Sequence, residues 1–161
     1  MIRPPMPILS ASGRVELRPL RLRDKRAWLE LRRRNHEWLK PWEATSPTQI
    51  HFQPPRYWEL VRFHQREARA LRSLSLMIWV EGEMVGQINL GGIAFGALRG
   101  AHIGYWIDQG HSSRGITTEA VITLTSSPSR NFGFIGSRSR FAPRMMHRSE
   151  LLRNPVITTR G

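Results

Sequence analysis

The chain has 161 residues, no cysteine and a formal charge of +13 at pH 7, from 25 Lys and Arg against 12 Asp and Glu. That length fits one domain with a core of its own, and the missing cysteines exclude disulfides and thiolate metal sites and fit a reducing, cytoplasmic setting. No apolar run reaches membrane-spanning length, and prolines and charges interrupt residues 1–20, so neither a membrane span nor a signal-peptide pattern is expected.

Val15-Glu16-Leu17-Arg18-Pro19-Leu20 alternates in the manner of a first strand, and Pro19 favours an edge position because it cannot donate to a ladder. Asp24 suits the N-cap of a helix that passes through Trp28, Leu31 and Leu39 and stops before Pro41. A second helix is predicted after Pro54-Pro55, with Tyr57, Val61, His64, Ala68 and Leu71 on one face and arginines opposite. His64 on that stripe reads as a half-buried packing residue rather than a catalyst. Residues 74–80 form a buried strand, Glu81-Gly82-Glu83 a turn, and residues 84–90 the returning arm of a hairpin. Gly91, Gly92, Gly96 and Gly100 mark a looser connection before a third strand over 101–108, and a helix starts near Thr117 and runs to about Leu124. One strand, two helices, three consecutive strands, a loop and a helix imply an α/β (α+β) fold with a mixed, largely antiparallel sheet flanked by helices.

The most informative stretch is Ile103-Gly104-Tyr105-Trp106-Ile107-Asp108 followed by Ser112-Ser113-Arg114-Gly115-Ile116-Thr117-Thr118-Glu119-Ala120. A buried strand ends in a short polar loop and restarts as a helix, so unpaired amides and the positive end of the helix dipole face open space. Such an end binds phosphate groups, which points to a phosphorylated cofactor. The six histidines, at 36, 51, 64, 102, 111 and 147, show no HxH or HExxH spacing, so no metal site is expected.

Several segments in order resemble the GNAT superfamily of N-acetyltransferases, and more closely its ribosomal-protein-alanine N-acetyltransferase branch. They are Val15-Glu16-Leu17-Arg18-Pro19-Leu20, Leu39-Lys40-Pro41-Trp42-Glu43, Val85-Gly86-Gln87-Ile88-Asn89-Leu90, Gly96-Ala97-Leu98-Arg99 through Ile107, and Arg114-Gly115-Ile116-Thr117-Thr118-Glu119-Ala120. The resemblance covers about residues 13–122. It implies acetyl-CoA as cosubstrate, with pantetheine along the strand end at Trp106 and Ile107. The pyrophosphate would lie on the amides of Ser113, Arg114, Gly115, Ile116 and Thr117. Ser113 stands where that family usually has glycine, and serine resists the left-handed backbone that such loops adopt. The resemblance also implies direct acetyl transfer to a protein N-terminal or small-molecule amine, with Glu43 holding the acceptor or taking its proton. His102 is a second catalytic candidate on its strand, where alternation leaves both faces open, and Trp42 would shape the pocket or pack under it.

From about residue 125 the periodicity ends, and residues 125–161 are expected to be mostly disordered, separate from a cofactor-binding part over 1–124. Residues 122–161 carry 7 Lys or Arg against 1 acid. That excess, interleaved with Phe132, Phe134 and Phe141, supports an alternative in which a basic tail binds nucleic acid. Joining the last base of each codon to the first two of the next explains the tail differently. Met145-Met146 then forces Asp, Met146-His147 forces Ala, and the permitted string includes HRIE, PENDAS and EKSG. These resemble the second half of the family, so the tail reads as frameshifted by a lost base between codons 121 and 131. The strand forming the other wall of the cofactor slot would then exist only in the alternate frame. An exposed sheet edge and an impaired enzyme are the expected consequences.

Overall fold

The computed structural model describes residues 7–43, 56–94, 100–126 and 157–160; the side chains of 40–43, 92–94, 100–102 and 157–160 fall outside that description. In chain order the elements are β1 (Ile8–Leu9), β2 (Val15–Arg18), α1 (Lys25–Arg34), α2 (His36–Glu43), α3 (Tyr57–Arg69), β3 (Leu74–Val80), β4 (Glu83–Ala94), β5 (Gly100–Ile107), α4 (Ile116–Ser126) and β6 (Ile157–Arg160). The six strands form one sheet in sequence order, every neighbouring pair antiparallel.

Alternation along the strands sends side chains to opposite faces and gives the sheet two apolar coats. Val15, Leu17, Leu76, Ile78, Val85, Ile88 and Ile103 meet Ile116, Ala120, Val121 and Leu124 of α4 on one face. On the other, Met77 and Met84 meet Leu31 of α1 and Val61 of α3, with Trp28, Tyr57, Trp79 and Trp106 packed around them. Glu81 and Gly82 join β3 to β4 at φ +50° and +78°, the pair of positive values that a tight hairpin turn matched to strand twist requires.

Several expectations are corrected. Val15–Arg18 is not an edge strand, because Ile8–Leu9 pairs on its outer side; Pro19 lies past the last paired residue, where no ladder donor is needed. The first helix is two helices. Asp24 precedes α1 without capping it by its side chain, since its carboxylate accepts Arg18 Nη1 at 2.9 Å and Arg21 N at 2.9 Å. The break falls at Asn35, whose side-chain amide bonds Leu31 O at 2.9 Å, a local competition with helix bonding typical of asparagine. Pro41 does not end α2, which continues to Glu43. Leu71 leaves the apolar face of α3, being exposed beyond the helix at φ +54°.

Most of the segment expected to lack order lies outside the described residues. Residues 157–160 pair with 100–103 of β5, so the outer edge of β5 carries a strand along its first half. No described helix is long and apolar enough to cross a membrane.

Candidate functional site

The end of β5 and the start of α4 are joined by a 3-10 turn (Gln109–His111) and the loop 112–115. Ser113 and Gly115 adopt φ +62° and +74°. The serine therefore sits in the left-handed region that its Cβ disfavours, where glycine would be at ease. The first intrahelical bond runs from Glu119 N to Gly115 O at 3.0 Å. The amides of Gly115, Ile116, Thr117 and Thr118 lie ahead of it, without partners in the helix. Ile116 is buried against the sheet and fixes where this positive helix end is presented, while Ser113, Arg114 and Gly115 are exposed and Thr117 is half-buried.

A long-range clamp holds the loop. Arg14, just before β2, donates from Nε and Nη2 to Glu119 Oε2 at 3.1 and 2.7 Å, and from Nη2 to the Arg114 carbonyl at 3.4 Å. Ser12 Oγ also donates to Glu119 Oε1. Hydrogen bonds from the Ser10 and Ser12 hydroxyls, with the Arg14 guanidinium, hold the Glu119 carboxyl below the ordinary carboxylate range.

Asp108 closes the other side of the turn. It is 3% exposed and accepts Arg34 Nε at 3.0 Å, Asn35 Nδ2 at 2.6 Å and a 2.6 Å contact with His111 Nδ1. Burial pushes this carboxyl up, but the bonds from His111, Asn35 and Arg34 outweigh it and hold the group below its usual value. Asn35 Oδ1 takes Gln109 N at 2.9 Å, and Trp38 Nε1 donates to Ile107 O at 3.1 Å. The α1–α2 junction is thereby fastened to the strand end and turn that lead into the loop.

Trp106 lies on the α1 side of the sheet, its ring tilted against Trp28 with centroids 6.3 Å apart. Its Nε1 donates to Gln87 Oε1 at 3.3 Å, and Gln87 Nε2 donates to Ser75 Oγ at 2.7 Å and Asn89 Oδ1 at 3.0 Å. Gly86 is obligatory in this ladder: a Cβ there would overlap the Trp106 carbonyl and stand 3.1 Å from Ile107 Cα.

The structure thus brings Trp106 and Ile107 to the strand end beside the loop of Ser113, Arg114, Gly115, Ile116 and Thr117. Glu43 is the last residue of α2, and His102 pairs in register with Gly91 and Thr158; both side chains lie outside the description. Arg14, Glu119, Asp108, Asn35 and Arg34 were missed by the sequence reading. Glu119 in a first helical turn is an ordinary acidic preference, and no local spacing ties it to a cation 105 positions away.

Residues 14–135 match the family model of the acetyltransferase (GNAT) domain, so the chain belongs to that family. Among solved structures it is similar to RimJ of Mycobacterium smegmatis in complex with CoA-disulfide. The two share 32% identity and a TM-score of 0.58, over 74% of this chain and 58% of that one. RimL, the ribosomal L7/L12 α-N-protein acetyltransferase, in complex with coenzyme A shares the fold at 20% identity and a TM-score of 0.59, over 74% of this chain and 66% of that one. So does the Salmonella typhimurium acetyl transferase that modifies the N-terminal serine of 50S ribosomal subunit protein L7/L12. Its identity is 19% and its TM-score 0.55, over 73% of this chain and 65% of that one. The chain therefore spans 58% to 66% of the length of these structures. No curated protein matches it.

Proposed function

We propose that this chain is an acetyl-CoA-dependent N-acetyltransferase domain acting in the cytoplasm on a protein N-terminal amine, of the ribosomal-protein kind, or on a small-molecule amine. The observation that carries the reading is the junction from Ile107 to Thr117. Four amides unbonded within the helix, from Gly115 to Thr118, follow a strand end and a loop with two left-handed residues, all inside the matched family segment. Such an end suits a diphosphate. CoA in the 32%-identical RimJ supports the same ligand class here.

The chemistry is a direct transfer. A neutral acceptor amine attacks the thioester carbonyl, a C–N bond forms, the C–S bond breaks, and the amine proton passes to a base or an ordered water. Backbone donors near the strand end suit the developing oxyanion. Glu43 and His102 are the candidate proton acceptors, and Trp106 and Ile107 supply the wall along which the pantetheine would run.

Turnover in this form is impaired, because on the out-of-frame reading the family's second-half strand and the residues that would protonate the departing thiolate are not encoded, and the strand at 157–160 pairs only with residues 100–103 of β5, short of Trp106 and Ile107. The test compares purified chain of verified mass with the chain encoded after the lost base is restored between codons 121 and 131. Thiol release from acetyl-CoA in the presence of N-terminal peptides is the readout. The restored chain turns over and the present one is at least tenfold slower. Equal turnover would overturn the impairment, and none from either would overturn the acetyltransferase reading.

A further inference from the structure

The helix end assigned to the diphosphate carries a built-in conflict. Glu119 lies in the first turn of α4, where a carboxylate favours the helix dipole but repels any anion bound at the same end. Its low proton affinity keeps it ionised throughout the neutral range. The conflict is answered from outside the site. Arg14 grips Glu119 through two nitrogens, at 3.1 and 2.7 Å, and the nitrogen at 2.7 Å also reaches the Arg114 carbonyl in the loop at 3.4 Å. The cation thus stands between the acid and the loop, and Ser12 fixes the other carboxylate oxygen.

We propose that Arg14 is a positioning residue for the anion site, which neutralises Glu119 and holds the 112–115 loop by its Arg114 carbonyl. This rests on the acetyl-CoA reading of the loop. The role is electrostatic first, and that distinguishes it from a structural bridge. A bridge is broken equally by removing either partner. Neutralisation is asymmetric: without Arg14 the Glu119 carboxylate, still held by Ser12, leaves an uncompensated negative charge in the first turn of the helix that carries the anion site, whereas without Glu119 the uncompensated charge is the positive guanidinium.

The experiment titrates coenzyme A into the full chain and into Arg14→Ala, Arg14→Lys, Glu119→Gln and the Arg14→Ala/Glu119→Gln double variant. Calorimetry gives Kd, and circular dichroism confirms that each variant folds. Arg14→Ala should weaken binding about tenfold at low salt, as expected for one uncompensated charge near a diphosphate, and the loss should shrink in 0.5 M salt. Glu119→Gln should bind as well as the parent or better, Arg14→Lys should stay within about threefold, and the double variant should return to within about threefold of the parent. Equal weakening by Arg14→Ala and Glu119→Gln, with no recovery in the double, would make the pair a structural bridge and overturn the proposal. If the parent chain binds no coenzyme A, the functional reading fails and this inference with it. Binding by the parent with symmetric variant losses sinks only the inference.

Discussion

Replacing Asp108 with asparagine keeps the shape of the side chain and removes its charge. The carboxylate is 3% exposed and holds Arg34 Nε at 3.0 Å, Asn35 Nδ2 at 2.6 Å and His111 Nδ1 at 2.6 Å. Removing one partner of a buried ionic cluster costs about 3–5 kcal/mol, because the remaining polar groups stay buried and unmatched. Here the cost is moderated, since the Arg34 side chain is 39% exposed and retains Glu83 at 3.3 Å. Asp108→Asn should therefore cost about 3 kcal/mol at pH 7. The folded-state carboxyl lies below its ordinary value, so its stabilisation is complete above the unfolded pKa. It is lost progressively as pH falls from the unfolded value through the folded one, so the gap between parent and variant should begin to narrow below about pH 4 and be smaller at about pH 3. Urea unfolding followed by tryptophan fluorescence, at pH 7 and in steps down to pH 3, measures both. A gap under 0.5 kcal/mol at pH 7, or one that stays constant across the acid range, would refute the assignment of Asp108 as the ionised hub.

Three further outcomes follow from the same geometry. Ser113→Gly relieves a left-handed serine at φ +62° and should raise stability by about 0.5–1 kcal/mol while tightening coenzyme A binding; a lowered melting temperature would contradict this. Gly86→Ala places a methyl group into the Trp106 carbonyl and should cost about 2–3 kcal/mol in urea unfolding, whereas a neutral effect would show that β4 and β5 are not so closely apposed. Asn35→Ala removes bonds to Leu31 O, Asp108 and Gln109 N, and should cost about 2 kcal/mol. Combined with Asp108→Asn it should be at least 1 kcal/mol short of additive, and strict additivity would separate the two residues energetically.

The parts of this fold that could be read in the sequence are those set by local period. Residues 74–80 and the Glu81-Gly82 turn declare a hairpin through apolar content and a glycine suited to positive φ, although Glu81 also takes a positive value. Val61 on its 3.6-residue stripe declares the buried face of α3. The strand, turn and helix start over 103–120 are legible for the same reason, being contiguous, whereas the left-handed backbone at Ser113 is expected only through the family resemblance.

What escaped is set by partners far away in sequence. Asn35 breaks the first helix in company with Asp108, 73 positions on, and Arg14 meets Glu119 across 105. Asp24 looks like a cap by sequence alone, but Arg18 and Arg21 take its carboxylate first. Pro19 suggests an edge only because Ile8–Leu9 is too short to show a period.

Calorimetric titration of acetyl-CoA into the full, folded chain bears most directly on whether the junction at residues 107–118 is a nucleotide-thioester site. Saturable one-to-one binding that is weakened by Arg14→Ala and competed by coenzyme A is the expected result. A folded chain that takes up no acetyl-CoA at millimolar concentration would contradict it.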